Sequence, residues 1–255
     1  MRTLVFANWK GGVAKTTSTA NVAAVLSEQA PVLMIDLDPH ANLTEAFGFL
    51  DPPAVGIENV LSRTDAATVS DAILNVGPNL DLVPTSDALA NFAWELGRDP
   101  EYPDRLREVL EPVADRYAYT LIDTPPGLGL WPGLALLSAD GVVIPTRPHD
   151  TDVNATVKLC DYIEDEIRPS NPDIRVIGTL VTQADKRWNL FRASSRALER
   201  DGIPTLTQVI PASVTVAAAP RTGKPIVWGD PSGRPARAYR AATAAIASRL
   251  AEVPA

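Results

Sequence analysis

The stretch WKGGVAKTT, residues 9–17, decides the fold. An apolar run, TLVFA (3–7), leads into it, and Val22, Val25 and Leu26 repeat at helical spacing after it. A strand that breaks at glycines and feeds a helix N-terminus is a ready phosphate site. Backbone N–H groups converge on the anion there, and the helix dipole favours its charge.

The stretch departs from the usual phosphate-loop pattern, G-x-x-x-x-G-K-[ST]. Aligned on Lys15 and Thr16, the two required glycines fall on Trp9 and Ala14. Glycines stand instead at Gly11 and Gly12, where they let the backbone approach the phosphates. A helix opening at about Ala14 with negative φ suits an alanine there. Lys15 then reaches the β/γ-phosphates, the Thr16 hydroxyl reaches Mg²⁺, and Thr17 lies near the α-phosphate. Lys10 has no task in its own loop. It is either a solvated charge or a group that serves a second nucleotide.

Carboxylates follow outward from the loop. VLMID (32–36) reads as the second buried strand and ends in Asp36, with Asp38 two residues on. Alternation places both on one face, at the strand end where open α/β sheets bind ligands. Turn capping ahead of Pro39 is the plainer reading of Asp38. YTLIDT (119–124) ends in Asp123, the position of an aspartate that holds Mg²⁺ through water. LDLVPT (80–85), GVVIPT (141–146), VIGTLVT (176–182) and LTQVIP (206–211) read as further strands. Leu106, Val109, Leu110 and Val113 mark one helix, and Tyr239, Ala242, Ile246 and Leu250 another. The expected fold is therefore α/β: a P-loop nucleotide-hydrolase domain, with a mostly parallel twisted sheet and helices on both faces. FLDPPAVG (49–56) and GDPSGRP (229–235) read as turns inside one domain spanning residues 1–255.

Composition narrows the setting. The net charge of −8 argues against a general nucleic-acid coat, though not against a local basic patch. A single cysteine, Cys160, allows no internal disulfide and no C-x-x-C metal site, so a reducing cytoplasm is expected. The chain opens on an apolar strand without a basic leader, and no run is long enough to span a bilayer. His149 and Asp150 end a strand without a nucleophile pattern nearby and read as a turn.

Residues 10–17, K-G-G-V-A-K-T-T, resemble the deviant Walker A motif, K-G-G-x-x-K-T-T, of the ParA/MinD family of P-loop ATPases. D-L-D-P-H-A-N-L-T (36–44) is similar to the family's D-x-D-P-Q-x-N-x-T, with His40 in place of glutamine. I-D-T-P-P-G-L-G (122–129) matches the ParA branch. GTLVTQADKRWN (178–189) and the run from Val209 to Tyr239 resemble its later strands, with Ala212 and Ala218 where the family has a polar or basic residue and an acidic one.

The resemblance implies an ATPase that dimerises with ATP and Mg²⁺. Lys10 would cross the dimer interface to the partner's nucleotide, and Asp38 would activate water. Asp36 would support Mg²⁺ with Thr16 and Asp123. Nucleotide binding would fall to Gly11, Gly12, Val13, Ala14, Lys15, Thr16 and Thr17, with adenine contacts at Thr182 and Pro211. A switch segment after Asp123 would sense the γ-phosphate. Lys186, Arg187, Arg192, Arg196, Arg221, Arg234 and Arg237 would give the dimer a sequence-independent DNA surface. The implied role is partition of plasmid or chromosomal DNA with a ParB-like centromere-binding partner, on the nucleoid. The N-terminal DNA-reading extension of larger relatives is not expected. Other branches with this loop offer alternatives: a MinD-like membrane-associated positioning ATPase, a ParA-like ATPase that positions a protein cargo, and an ATP-dependent amide-forming ligase. Stable membrane association is not expected, because AAIASRLAEVPA (244–255) lacks the bulky amphipathic face that a membrane helix needs. A nitrogenase-iron-protein-like carrier would need cysteines that this chain lacks.

The role of Lys10 is directly testable. Lys10→Ala should bind ATP as a monomer nearly as the parent does, yet fail to form a stable ATP dimer and hydrolyse more slowly. Normal dimerisation in light scattering together with normal turnover would make Lys10 a surface charge.

Overall fold

The computed structural model describes residues 1–185, 187 and 189–253, apart from the side chains of residues 217, 218, 220 and 221. Eight strands form one sheet: β1 (Arg2–Phe6), β2 (Val32–Asp36), β3 (Leu74–Gly77), β4 (Leu80–Val83), β5 (Tyr119–Asp123), β6 (Gly141–Thr146), β7 (Arg175–Val181) and β8 (Thr205–Val209). Their order across the sheet is β3-β4-β2-β5-β1-β6-β7-β8. Every pairing is parallel except β3 with β4.

Alternation along each central strand explains why both faces are covered. Val5 of β1, Leu33 and Ile35 of β2, Ile122 of β5, and Val142 and Ile144 of β6 point into one apolar layer. Leu4 and Phe6, Val32 and Met34, Leu121, and Val143 point into the other. Strands apolar on both faces need helices on both sides, and short parallel crossovers supply them.

The helices are α1 (Lys15–Leu26), α2 (Asn42–Ala46), α3 (Ile57–Leu61), α4 (Val69–Ala72), α5 (Ala88–Leu96), α6 (Tyr102–Leu110), α7 (Leu130–Leu137), α8 (Asp150–Tyr162), α9 (Asn189–Arg200), α10 (Val214–Ala218), α11 (Ile226–Gly229) and α12 (Arg234–Ala251). Helix α1 is buried on nearly every side, from Ser18 to Leu26. Ala20, Ala23 and Ala24 are small enough to let neighbouring backbones come close, which is how one helix can be enclosed by the sheet and by α12.

The strand edges differ from the sequence expectation by one or two residues. One strand, β3, has no counterpart in it. LNVG carries two aliphatics, Leu74 and Val76, beside Asn75 and Gly77, and all four residues remain at least partly exposed. An antiparallel edge strand against β4 needs no continuous apolar run, so its sequence carries little signal.

The α1–α12 contact locks the loop-bearing helix. Tyr239 is fully buried, and its hydroxyl lies 3.3 Å from Ser18 Oγ. Tyr239→Ala should cost about 3–5 kcal/mol in urea unfolding through the cavity it leaves. Tyr239→Phe should cost only about 1 kcal/mol, the net worth of the hydroxyl contact. Equal costs would place the stabilisation in the hydrogen bond rather than the packing.

Candidate functional site

The C-terminal ends of β1, β2 and β5 meet at the loop of residues 9–14. Its carbonyls are taken up by other groups. Lys15 Nζ donates to Lys10 O at 3.1 Å, Gln183 Nε2 to Gly12 O at 2.7 Å, and Thr182 Oγ1 to Val13 O at 2.9 Å. Lys10 N donates to Asn8 Oδ1 at 2.9 Å, and Asn8 Nδ2 is anchored on Pro145 O at 2.8 Å. With the carbonyls engaged outside, the loop's N–H groups and the uncapped start of α1 remain for an anion.

Ala14 is the correction here. It sits at φ 68°, ψ 37°, left-handed, and α1 opens at Lys15 rather than at Ala14 with negative φ. Gly12 is also left-handed, at φ 71°. The tight turn needs both, and for alanine this conformation costs about 1–2 kcal/mol.

A cavity of about 520 Å³ opens above the loop, lined by Gly11, Gly12, Ala14, Lys15, Thr16 and Thr17 on one side and by Asp38, His40, Asn42, Glu45, Leu50 and Pro126 on the other. Lys15 is buried, and that burial lowers its affinity for a proton; the carboxylates of Asp123 and Asp38 oppose the effect. Lys10 lies outside this cavity. Its side chain is exposed and has no partner among the described residues.

The two carboxylates after β2 do not share one open face, as alternation had suggested. β2 ends at Asp36, which is wholly buried and borders no part of the cavity. Asp36 Oδ1 accepts from Asp38 N at 3.1 Å, and Oδ2 accepts from Thr44 N and Thr44 Oγ1, both at 2.8 Å. Burial pushes Asp36 up to about 6 against those bonds. Asp38 faces the cavity, and its Oδ1 accepts from His40 N at 3.0 Å. Asp36 thus orders the turn that carries Asp38.

Asp123 is also fully buried. Its Oδ1 accepts from Thr19 Oγ1 at 3.1 Å, while Oδ2 has no hydrogen-bond partner among the described residues. Burial first, then the charge of Asp36, raise its pKa above the carboxylate range, with the Thr16 hydroxyl and Lys15 opposing. An orphaned buried carboxylate oxygen is costly unless a cation or its water shell satisfies it. Asp123 Oδ2 beside Thr16 therefore fits a hydrated Mg²⁺. Beyond Asp123, Thr124 Oγ1 donates to Phe6 O at 2.9 Å and Gly127 N to Trp9 O at 3.0 Å, so the 124–129 segment is tied to the phosphate loop.

Thr182 and Pro211 lie at the ends of β7 and β8 and are both buried. The Thr182 hydroxyl donates to Val13 O at 2.9 Å, with Thr146 O a longer alternative at 3.3 Å, so it holds the loop from beneath. Gln183, which belongs to no motif read above, is exposed, left-handed at φ 53°, and reaches Gly12. Its only local signal is its place directly after a strand end.

The basic residues divide into groups. Arg192 and Arg196 are exposed one turn apart on α9 and have no partner among the described residues. Asp185 holds Arg187 at 2.7 Å and stands 3.7 Å from Arg234, joining the approach to α9 with the start of α12. Arg237 is exposed and donates to Ser232 O. Lys186 lies outside the described residues, as does the side chain of Arg221.

Comparison with known proteins adds context. An AAA domain matches residues 1–176. The chain is 32% identical over 240 residues to the sporulation initiation inhibitor protein Soj of Bacillus subtilis, covering 92% of this chain and 94% of Soj. It is 31% identical over 244 residues to the chromosome partitioning protein ParA of Caulobacter vibrioides, covering 94% and 91%. Among solved structures, the cell division ATPase MinD of Pyrococcus furiosus superposes with TM-score 0.79 at 26% identity, over 97% of this chain and 98% of that one. Cobyrinic acid a,c-diamide synthase of Mycobacterium smegmatis, with bound ADP and magnesium, gives 0.78 at 29%, over 92% and 97%.

The left-handed turn at Ala14 gives a test. Ala14→Gly should keep nucleotide binding and leave the fold unchanged or up to about 1 kcal/mol more stable, since relief of the positive φ outweighs the added freedom of the unfolded chain. A loss of about 1 kcal/mol in chemical denaturation would mean that Ala14 is not left-handed.

Proposed function

From the premise that this chain belongs to the ParA/MinD-type P-loop ATPases, we propose that it is a nucleotide-switched dimer that binds DNA without sequence preference and moves DNA cargo with a ParB-like partner. It is an ATP hydrolase that uses Mg²⁺. The observation that carries the reading is the pairing of a complete phosphate site with a lysine, Lys10, that stays outside it.

The residues divide the work by position. The N–H groups of the 11–16 loop and the α1 N-terminus hold the phosphates, and Lys15 offsets the charge that builds at the β/γ bridge. Mg²⁺, when bound, neutralises charge shared by the two terminal phosphates, with Thr16 and Asp123 to hold it and Asp36 to order the adjoining turn. Asp38 faces the cavity and orients the attacking water. Lys10 is free to reach a nucleotide in a facing protomer. The segment tied to Trp9 through Gly127 moves with the loop, so it links the state of the terminal phosphate to the surface.

Thr182, fully buried, supports the loop through Val13 O rather than presenting its hydroxyl to a base, and Pro211 is likewise buried outside the cavity. Arg192 and Arg196 lead the DNA surface, with Arg187, Arg234 and Arg237 beside them. The net charge of −8 repels a polyanion at long range, so binding rests on a local field within a Debye length of about 8 Å. A dimer presents two such surfaces to one duplex and gains avidity. DNA held in this way places the protein on the nucleoid. Among the described residues, no helix is long and apolar enough to cross a membrane. The likeness to the diamide synthase supports a second reading, an ATP-dependent amide-forming ligase, in which ATP would be consumed only with an acid and an amide donor present.

One experiment separates these readings. With ATP and Mg²⁺ the protein should bind random-sequence DNA at low salt, and with ADP it should bind weakly or not at all. Replacing both Arg192 and Arg196 with alanine should leave ATP-driven dimerisation intact and reduce the salt slope of log K by about 2 per protomer. Equal affinity in the ADP and ATP forms would reject the switch, and no binding at low salt would reject the DNA reading.

A further inference from the structure

A third carboxylate, after Asp36 and Asp123, stands behind the cavity without facing it. Glu58, on α3, is buried at 8% exposure. Its Oε1 accepts from Ser86 Oγ at 2.5 Å, and its Oε2 lies 3.4 Å from Thr85 Oγ1, a hydroxyl equally placed to donate to Ser86 O. These two residues follow the end of β4, the neighbour of β2, and Ile57 N donates to Pro84 O at 2.8 Å to fix α3 against the same turn. Thr85 is itself buried, and its backbone N donates to Thr44 Oγ1 at 3.2 Å.

That contact fixes the direction of a proton. A hydroxyl has one hydrogen to give. With its oxygen accepting from Thr85 N, Thr44 Oγ1 turns its hydrogen to Asp36 Oδ2, 2.8 Å away. The other oxygen of Asp36 accepts from Asp38 N. A continuous buried chain thus runs Glu58, Thr85, Thr44, Asp36, Asp38. Gly56 N is satisfied by Asn59 Oδ1 at 2.9 Å, so Glu58, in the first turn of α3, does not cap that N–H. Burying a carboxylate to hold two hydroxyls is costly unless their placement matters.

We propose that Glu58 is a positioning residue for hydrolysis, which through Thr85, Thr44 and Asp36 holds Asp38 at the angle that orients water. The proposal rests on the assignment of Asp38 to the attacking water. Glu58 does not line the nucleotide cavity, so it acts on turnover and not on binding. Networks of this kind are worth about 10- to 100-fold in activity when one outer member is changed.

The test measures turnover, ATP affinity and thermal stability for Glu58→Gln, Ser86→Ala, Asp38→Ala and the double variant Glu58→Gln with Asp38→Ala. Glu58→Gln should lower kcat about tenfold while the Kd for ATP stays within about twofold. Ser86→Ala removes the same contact from its other end. It should act in the same direction, and it carries the test if Glu58→Gln does not fold. The double variant should be no slower than Asp38→Ala alone, because both act through one group. Normal kcat in folded Glu58→Gln would overturn the proposal, as would parallel loss of kcat and affinity or a double variant slower than Asp38→Ala. Asp38→Ala with normal turnover would instead defeat the assignment of Asp38. Slow Asp38→Ala beside normal Glu58→Gln would defeat the relay alone.

Discussion

The structure depends on keeping five residues of backbone, Gly11 to Lys15, turned so that their N–H groups take no partner among the described residues. Peptide groups resist this, because the carbonyls then face away and need partners of their own. Lys15, Thr182 and Gln183 supply partners for Lys10, Val13 and Gly12. Two of those partners come from the far end of β7, so the loop cannot take its shape until β1, β6 and β7 are side by side. The left-handed Gly12 and Ala14 complete the turn, and the uncapped first turn of α1 follows directly.

Charge follows from that geometry. An anion site lined by Lys15 sits over two carboxylates that water cannot reach, Asp36 and Asp123. Asp36 is satisfied by three hydrogen bonds from within the chain. Asp123 is satisfied on one oxygen only. The contrast separates them: the first orders a turn, and the second keeps one oxygen without a hydrogen-bond partner among the described residues. Asp38, one turn outward, keeps its access to the cavity. Three aspartates within two short motifs thus meet three environments, set by depth and by which donors reach each of them.

The surface obeys a different logic. Arginines spread along α9 and α12 are not equivalent, because Asp185 engages Arg187 and approaches Arg234, while Arg192 and Arg196 stand unpaired among the described residues. Exposed ion pairs of this kind are worth little in stability. They do change which cations are free to meet a phosphate.

Much of the fold could be read along the chain. Apolar runs such as VLMID and GVVIPT matched β2 and β6 because a strand buried on both faces needs unbroken apolar residues. Strand β3 was illegible, since an edge strand lacks that requirement. The loop's lysines, its glycines and the strand-end aspartates carried chemistry visible at fixed spacing. What the sequence by itself determined was thus seven of the eight strands and the kinds of group at their ends. Only the tertiary structure decided the sign of φ at Ala14, the burial of Asp36 beneath Asp38, and the links from Gln183 to Gly12 and from Glu58 to Asp36. The last two join segments far apart in the chain, and local spacing holds no information about which strand ends the sheet brings together.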